Sequence, residues 1–137
     1  MASQVVRLSV DDIIALHDIA LTLGNGGSEG IRSNHLLASA ALQPYQSFSG
    51  HGDAYPTIPE KAAAHAFLLA EGQPFVKGNK RTAALTLTVF LDLNGYELYE
   101  ADETELARIL LDLGNNVIDQ SEFFGWVCNH AKPKTKT

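Results

Sequence analysis

Residues 72–82 read GQPFVKGNKRT and separate two strongly apolar stretches. Lys77, Lys80 and Arg81 fall within five positions of one another. Residues 1–131 contain only seven Lys or Arg, so three of the seven gather here. A chain with net charge −6 that concentrates its cations on one loop points to an anion held at that place. Gly78 and Asn79 accommodate the backbone angles of a tight turn, and a helix follows. The unpaired N–H groups of its first turn then face whatever the loop holds, as in phosphate sites at helix N-termini. A helix-capping loop with solvated charges is the other reading of the same residues. A Walker-type phosphate loop is excluded. That motif places four residues between its glycines and Lys directly after the second. Here five residues lie between Gly72 and Gly78, and Asn79 precedes Lys80.

The stretches on either side predict a helical hairpin around this loop. Thr57 caps the first helix, Glu60 follows three residues on, and Pro59 lies in the first turn, where a missing N–H does no harm. From Ala62 to Ala70 only His65 is polar, so this helix is expected to be buried all round, with His65 as a partnered core histidine. Residues 82–94 alternate enough to suggest a strand, but thirteen residues is long for one. Asn94 and Gly95 also read as a helix stop. A second buried helix, starting near Thr82, is the expectation.

The remaining elements are arranged around that hairpin. Residues 4–8 suggest a short strand. Ser9 with Asp12 caps a helix whose apolar positions are Ile13, Leu16, Ile19, Ala20 and Leu23, and which stops at the run Gly24, Asn25, Gly26, Gly27. His17 in that helix reads as a packed or surface residue. Ser33 or Asn34 begins a shorter helix that Pro44 ends. The segment 43–56 carries three aromatics, two glycines and His51 in a polar context. It reads either as a mobile connector or as a flap facing a substrate. Residues 97–99 suggest an extended piece. Asp102 with Glu105 starts an amphipathic helix closed by Gly114, and a last helix begins near Asp119 or Ser121.

The chain has 137 residues, 45% of them hydrophobic, enough for one domain with a real core. Residues 1–131 form that domain, and the basic tail 132–137 is expected to be disordered. The acidic balance argues against a nucleic-acid surface, which needs a broad basic face. No stretch reaches the apolar length of a membrane span, and the first residues lack the apolar core of a signal peptide. A single cysteine, Cys128, excludes an internal disulfide and fits a reducing cytoplasm. Cys128 and His130 alone do not make a zinc site.

With these elements placed, the chain resembles the death-on-curing (Doc) branch of the Fic family. The resemblance rests on Ala15, Leu16 and His17 in the first helix, on Gly30, Ile31 and Arg32 before Leu36 and Leu37, and on Tyr55 and Pro56. It continues through Glu60 to Ala63, the core PFxxGNKRTA, and Leu93, Asn94, Gly95 and Tyr96. It implies an all-α Fic/Doc-type bundle around the helix–anion loop–helix hairpin, with at most a short N-terminal strand or a flap hairpin. It also implies a transferase that moves part of ATP or another nucleotide onto a protein hydroxyl. Most relatives transfer AMP. The Doc branch looks like a kinase acting on a translation elongation factor, as the toxin of a toxin–antitoxin pair. The chain contains no antitoxin-like segment, so the expected antitoxin is a separate chain that lays a peptide or helix into a groove.

The family loop reads HxFx(D/E)(G/A)N(K/G)R. Its His is the general base, its acid holds magnesium, and its Asn, Lys and Arg hold phosphates. Carried over by position, this chain keeps Phe75 as loop packing and Gly78, Asn79, Lys80 and Arg81 as phosphate-binding residues, with Thr82 beside them. It has Gln73 in place of the His and Lys77 in place of the acid. A carboxamide accepts no proton near neutral pH, so Gln73 is no base, and losing the base costs about 10²–10⁴ in rate. Lys77 repels magnesium but itself neutralises phosphate charge. His51 on the flap, near Tyr55, is the best substitute base. Two classes of function follow: an altered Doc-type transferase, or a Fic-fold binding module that keeps the anion and lacks catalysis.

Overall fold

The computed structural model describes residues 4–23 and 30–135. Its helices are α1 (Val10–Leu23), α2 (Asn34–Leu42), α3 (Ile58–Gly72), α4 (Asn79–Leu93), α5 (Glu103–Gly114) and α6 (Gln120–His130). Two small antiparallel pairs complete it: β1 (Ser47–Phe48) with β2 (Gly52–Asp53), and β3 (Tyr96–Leu98) with β4 (Ala131–Pro133). The fold is thus mostly α, as expected, and the flap hairpin forms.

The helix starts follow their local chemistry. Ser33, Thr57, Asp102 and Asp119 each accept a bond from the backbone N–H three residues on, which satisfies a donor the helix itself cannot pair. Ser9 and Asp12 do the same reciprocally at α1. The helix stop read at Gly24, Asn25, Gly26 and Gly27 lies outside the described residues.

Helix α3 is the centre. Ala62, Ala63, Ala64, Ala66 and Ala70 are all buried, and their small side chains let α4, α6, α2 and α5 pack against it. α4 closes the other half of the core with Leu87, Phe90 and Leu91, also fully buried. Truncating such a side chain costs about 3–5 kcal/mol, so this hairpin sets where its connecting loop sits. His65 is a partnered core residue. Its Nδ1–H donates to the Ala40 carbonyl at 2.9 Å, which leaves Nε2 to accept from the Tyr45 hydroxyl at 2.6 Å. Tyr45 in turn accepts from the Leu8 amide at 2.8 Å. Burial lowers the His65 pKa to about 4 and raises that of Tyr45 to about 12, so the pair stays neutral.

Several expectations are corrected. Residues 4–8 form no strand, because side chains take the bonds a ladder would use. The Asn94 carboxamide pairs with both the N–H and the carbonyl of Val6, and Tyr45 takes Leu8. The tail is ordered at least through Lys134. Residues 131–133 pair with β3, and Lys134 bonds to the Gly95 carbonyl and to Asp92. In α1, Ile19 is half-exposed and Leu21 is buried in its stead, a shift of the apolar stripe toward the loop. Helix α4 begins at Asn79, three residues before the expected start, so Lys80 and Arg81 belong to its first turn.

Candidate functional site

The loop between α3 and α4 begins with strain and is held by distant residues. Gln73 ends α3 in the left-handed conformation, φ 51° and ψ 59°, which costs a non-glycine residue about 1 kcal/mol. Arg32 clamps that turn. Its Nε donates to the Gln73 carbonyl at 2.7 Å and its Nη2 to the Gly72 carbonyl at 2.8 Å. A cation on the last carbonyls of a helix also meets the negative end of the helix dipole. The Pro74 carbonyl accepts from the amides of Arg32 and Ser33, and the Val76 amide donates to Gly30. Residues 30–33 therefore run beside the loop like a short strand, with Ile31 paired to Phe75.

The inner face of the loop rests on α1. The Phe75 ring is buried and stacks on His17, with ring centres 3.7 Å apart and planes 6° from parallel. His17, also buried, donates from Nε2 to the Lys77 carbonyl at 2.9 Å. Gly78 has φ +80°, and a Cβ there would lie 2.7 Å from Leu21 Cδ2. Glycine is thus needed for both backbone angle and space. The Asn79 carboxamide reaches back, accepting from the Phe75 amide and donating to its carbonyl, both at 3.0 Å. Buried Thr82 donates from Oγ1 to the Gly78 carbonyl at 2.8 Å.

The expected site residues divide into two groups. Phe75, Gly78, Asn79 and Thr82 build the loop, and the bonds of Asn79 seen here are made to that loop. Lys80 and Arg81 face a concavity of about 280 Å³ between α4 and α5, whose wall also includes Ala20, Glu103 and Leu110. Lys80 extends to the C-terminal end of α5, where a Cβ added to Gly114 would lie 2.8 Å from its Cε. Gln73 and Lys77 are exposed, and Lys77 is not part of that concavity. His51 is exposed at the turn between β1 and β2, its amide bonded to the Phe48 carbonyl. Tyr55 stacks on Phe124, and its carbonyl accepts from buried Lys61 at 2.5 Å. Lys61 also pairs with Asp53 at 3.2 Å. The Ser47 hydroxyl and then Lys61 hold the Asp53 carboxyl below its ordinary pKa.

Two residues that position the loop escape a reading of the sequence. Arg32 and His17 lie 41 and 60 positions from their partners. Gly30, Ile31 and Arg32 carry part of the family resemblance, but nothing local in their sequence says that the Arg caps another helix. His17 reads as packed or surface, and the fold decides for packed, with a partner visible only there.

The site is a Gly-bearing turn between two buried helices, with Lys80 and Arg81 at the start of the second. The Fic/DOC family model matches residues 7–91, and the chain belongs to that family, in its Doc branch. Toxin Doc of Mycolicibacterium smegmatis is 36% identical over 105 residues, which is 77% of this chain and 77% of that protein. No helix among the described residues is long and apolar enough to cross a membrane.

Proposed function

We propose that this chain is a Doc-type toxin-family protein that binds a nucleotide or another phosphate-bearing anion at the 72–82 loop. The observation that carries this reading is the junction at Gly78. A loop fixed from three sides delivers the chain into α4 with Lys80 and Arg81 in the first turn, and both line one concavity. A fixed loop supplies its amides and cations without an ordering cost at the moment of binding. Gln73 takes no proton from an acceptor hydroxyl, so the chain is a poor transferase as it stands. The alternative is an active Doc-type enzyme that transfers a phosphoryl or nucleotidyl group to a protein hydroxyl of the translation-factor type. Family membership is what favours it.

The partner implied by the relative is an antitoxin on a separate chain in the cytoplasm. That partner would lay a peptide or helix into a groove on the body.

Incubation with labelled ATP and a cell lysate separates the readings. Nucleotide binding with no label on protein supports the binding module. Label that disappears in Lys80→Ala supports the enzyme. Label that appears only after Gln73→His and Lys77→Asp are made together shows a transferase that has lost its base and its metal ligand. Absence of nucleotide binding in every form overturns the reading.

A further inference from the structure

Gly114 is the last residue of α5, and it has none of the positive φ that would call for glycine. A glycine in a helix costs backbone entropy that alanine would not, so space is the remaining reason for one here. Among the described residues, Gly72 and Gly125 are the other helical glycines, and a Cβ at either would meet nothing within 4 Å. A Cβ at Gly114 would lie 2.8 Å from Lys80 Cε and 3.2 Å from its Nζ. No other described residue outside its own stretch of helix comes within 4 Å of that point. The stem of Lys80 thus crosses from the first turn of α4 and lies on the bare backbone at the end of α5.

The carbonyls at that end are already paired. That of Leu111 accepts from the Asn115 amide, that of Leu113 from the Asn116 amide, and that of Asp112 from the Val117 amide. The helix therefore does not need the lysine as a cap, while the negative end of its dipole still favours an ammonium there. Glu103, the acid in the wall of the same concavity, opens α5, and about 16 Å of helix axis separates it from Gly114. A lysine seated at Gly114 keeps its charge away from that acid.

We infer that Gly114 is a positioning residue for the anion site: its missing side chain makes a seat that holds Lys80 extended across the gap between α4 and α5. The inference rests on the anion-binding reading above and adds how one of its cations is held. A long side chain loses rotamer freedom when it takes a ligand, and a seated one has lost part of it beforehand.

The test is Gly114→Ala in the full chain. A helical backbone accepts alanine and only the flexible end of Lys80 must move, so the denaturation midpoint should equal or exceed that of the native chain. Calorimetric titration uses ATP and, separately, inorganic triphosphate, and the tighter of the two carries the comparison. Gly114→Ala is expected to weaken binding about three- to tenfold, the effect of freeing one long side chain. In a Lys80→Ala background the same change is expected to do nothing. Proton NMR of the ligand-free native chain should show cross-relaxation between the Lys80 ε-methylene and the Gly114 α-protons, and Gly114→Ala should shift the ε-methylene signal. Unchanged or tighter binding in Gly114→Ala overturns the inference while leaving the anion site in place. So does an equal loss with and without Lys80, which traces the effect to α5 itself, and so does absence of the NMR contact. No binding of either probe by the native chain overturns the anion-binding reading and the role of the seat with it.

Discussion

The 72–78 loop and the 46–56 flap are both irregular segments that carry candidate site residues, and they are held in different ways. The loop is gripped from α1 by His17, from the strand-like run before α2 by Arg32, and from α4 by Asn79. The bonds that hold the flap come from within it and from one neighbouring helix. Ser47 pairs with Asp53, the His51 and Ala54 amides close the hairpin, and Lys61 of α3 takes Asp53 and Tyr55. The flap also leaves Phe48 more than half exposed, whereas the loop buries Phe75 completely. A segment tied to several elements shares the stability of the whole. A segment tied at its base opens locally. The contrast assigns fixed geometry to the 72–78 loop and adaptability to the flap.

The largest test of this contrast removes the stacked ring. His17→Ala leaves a cavity beneath Phe75 and an unpaired Lys77 carbonyl. Chemical denaturation should show a loss of about 3 kcal/mol, with anion affinity falling as well. A loss below about 1 kcal/mol would mean that α1 does not brace the loop.

Acid probes the other region. Tyr45 lies just before the flap and its partner His65 in α3, the helix after it, and the folded pKa of His65 is about 4 against an ordinary 6.5. Between those values the unfolded chain binds the extra proton. Stability from this group is therefore complete above pH 6.5 and declines as pH falls toward 4, by on the order of 3 kcal/mol. Denaturation midpoints measured across that range should fall in the native chain. Their slope should flatten in a variant with His65 replaced by an apolar residue that folds.

Arg32→Ala releases two carbonyls at the end of α3 and should cost about 1–2 kcal/mol. Arg32→Lys should recover only part, since an ammonium cannot span both oxygens as the planar fork does. Full recovery by Lys would reduce the clamp to a charge–dipole effect. Lys61→Met should act on the flap alone. Hydrogen exchange at the His51 and Ala54 amides should quicken while that at Val76 stays unchanged, and equal acceleration at all three would erase the distinction. The smallest effect concerns Thr86, whose buried Oγ1 has no hydrogen-bond partner among the described residues. Thr86→Val should raise stability by up to about 1 kcal/mol.

Much of this was legible in the sequence, and the division has a physical pattern. Local chemistry carried the starts at Thr57, Asp102 and Asp119, because a cap bonds to an amide three residues away. The all-apolar stretch between Ala62 and Ala70 carried the buried central helix, because no face of it could be solvated. What failed depended on partners far along the chain. Residues 4–8 looked like a strand by pattern, but Asn94 took the bonds a strand would need. The basic tail looked solvated because its partner strand lies some 35 residues away. The early start of α4 depended on Asn79 turning back to Phe75.

By itself the sequence determined that this protein would be a mainly helical bundle presenting cations at a turn between two buried helices, without a proton acceptor at position 73. Only the tertiary structure decided which cations share a concavity, and that His17 and Arg32 hold the loop in shape. The reason is one of range. Helix caps and apolar periodicity act within a few residues, whereas a carbonyl's distant donor is chosen by how helices pack.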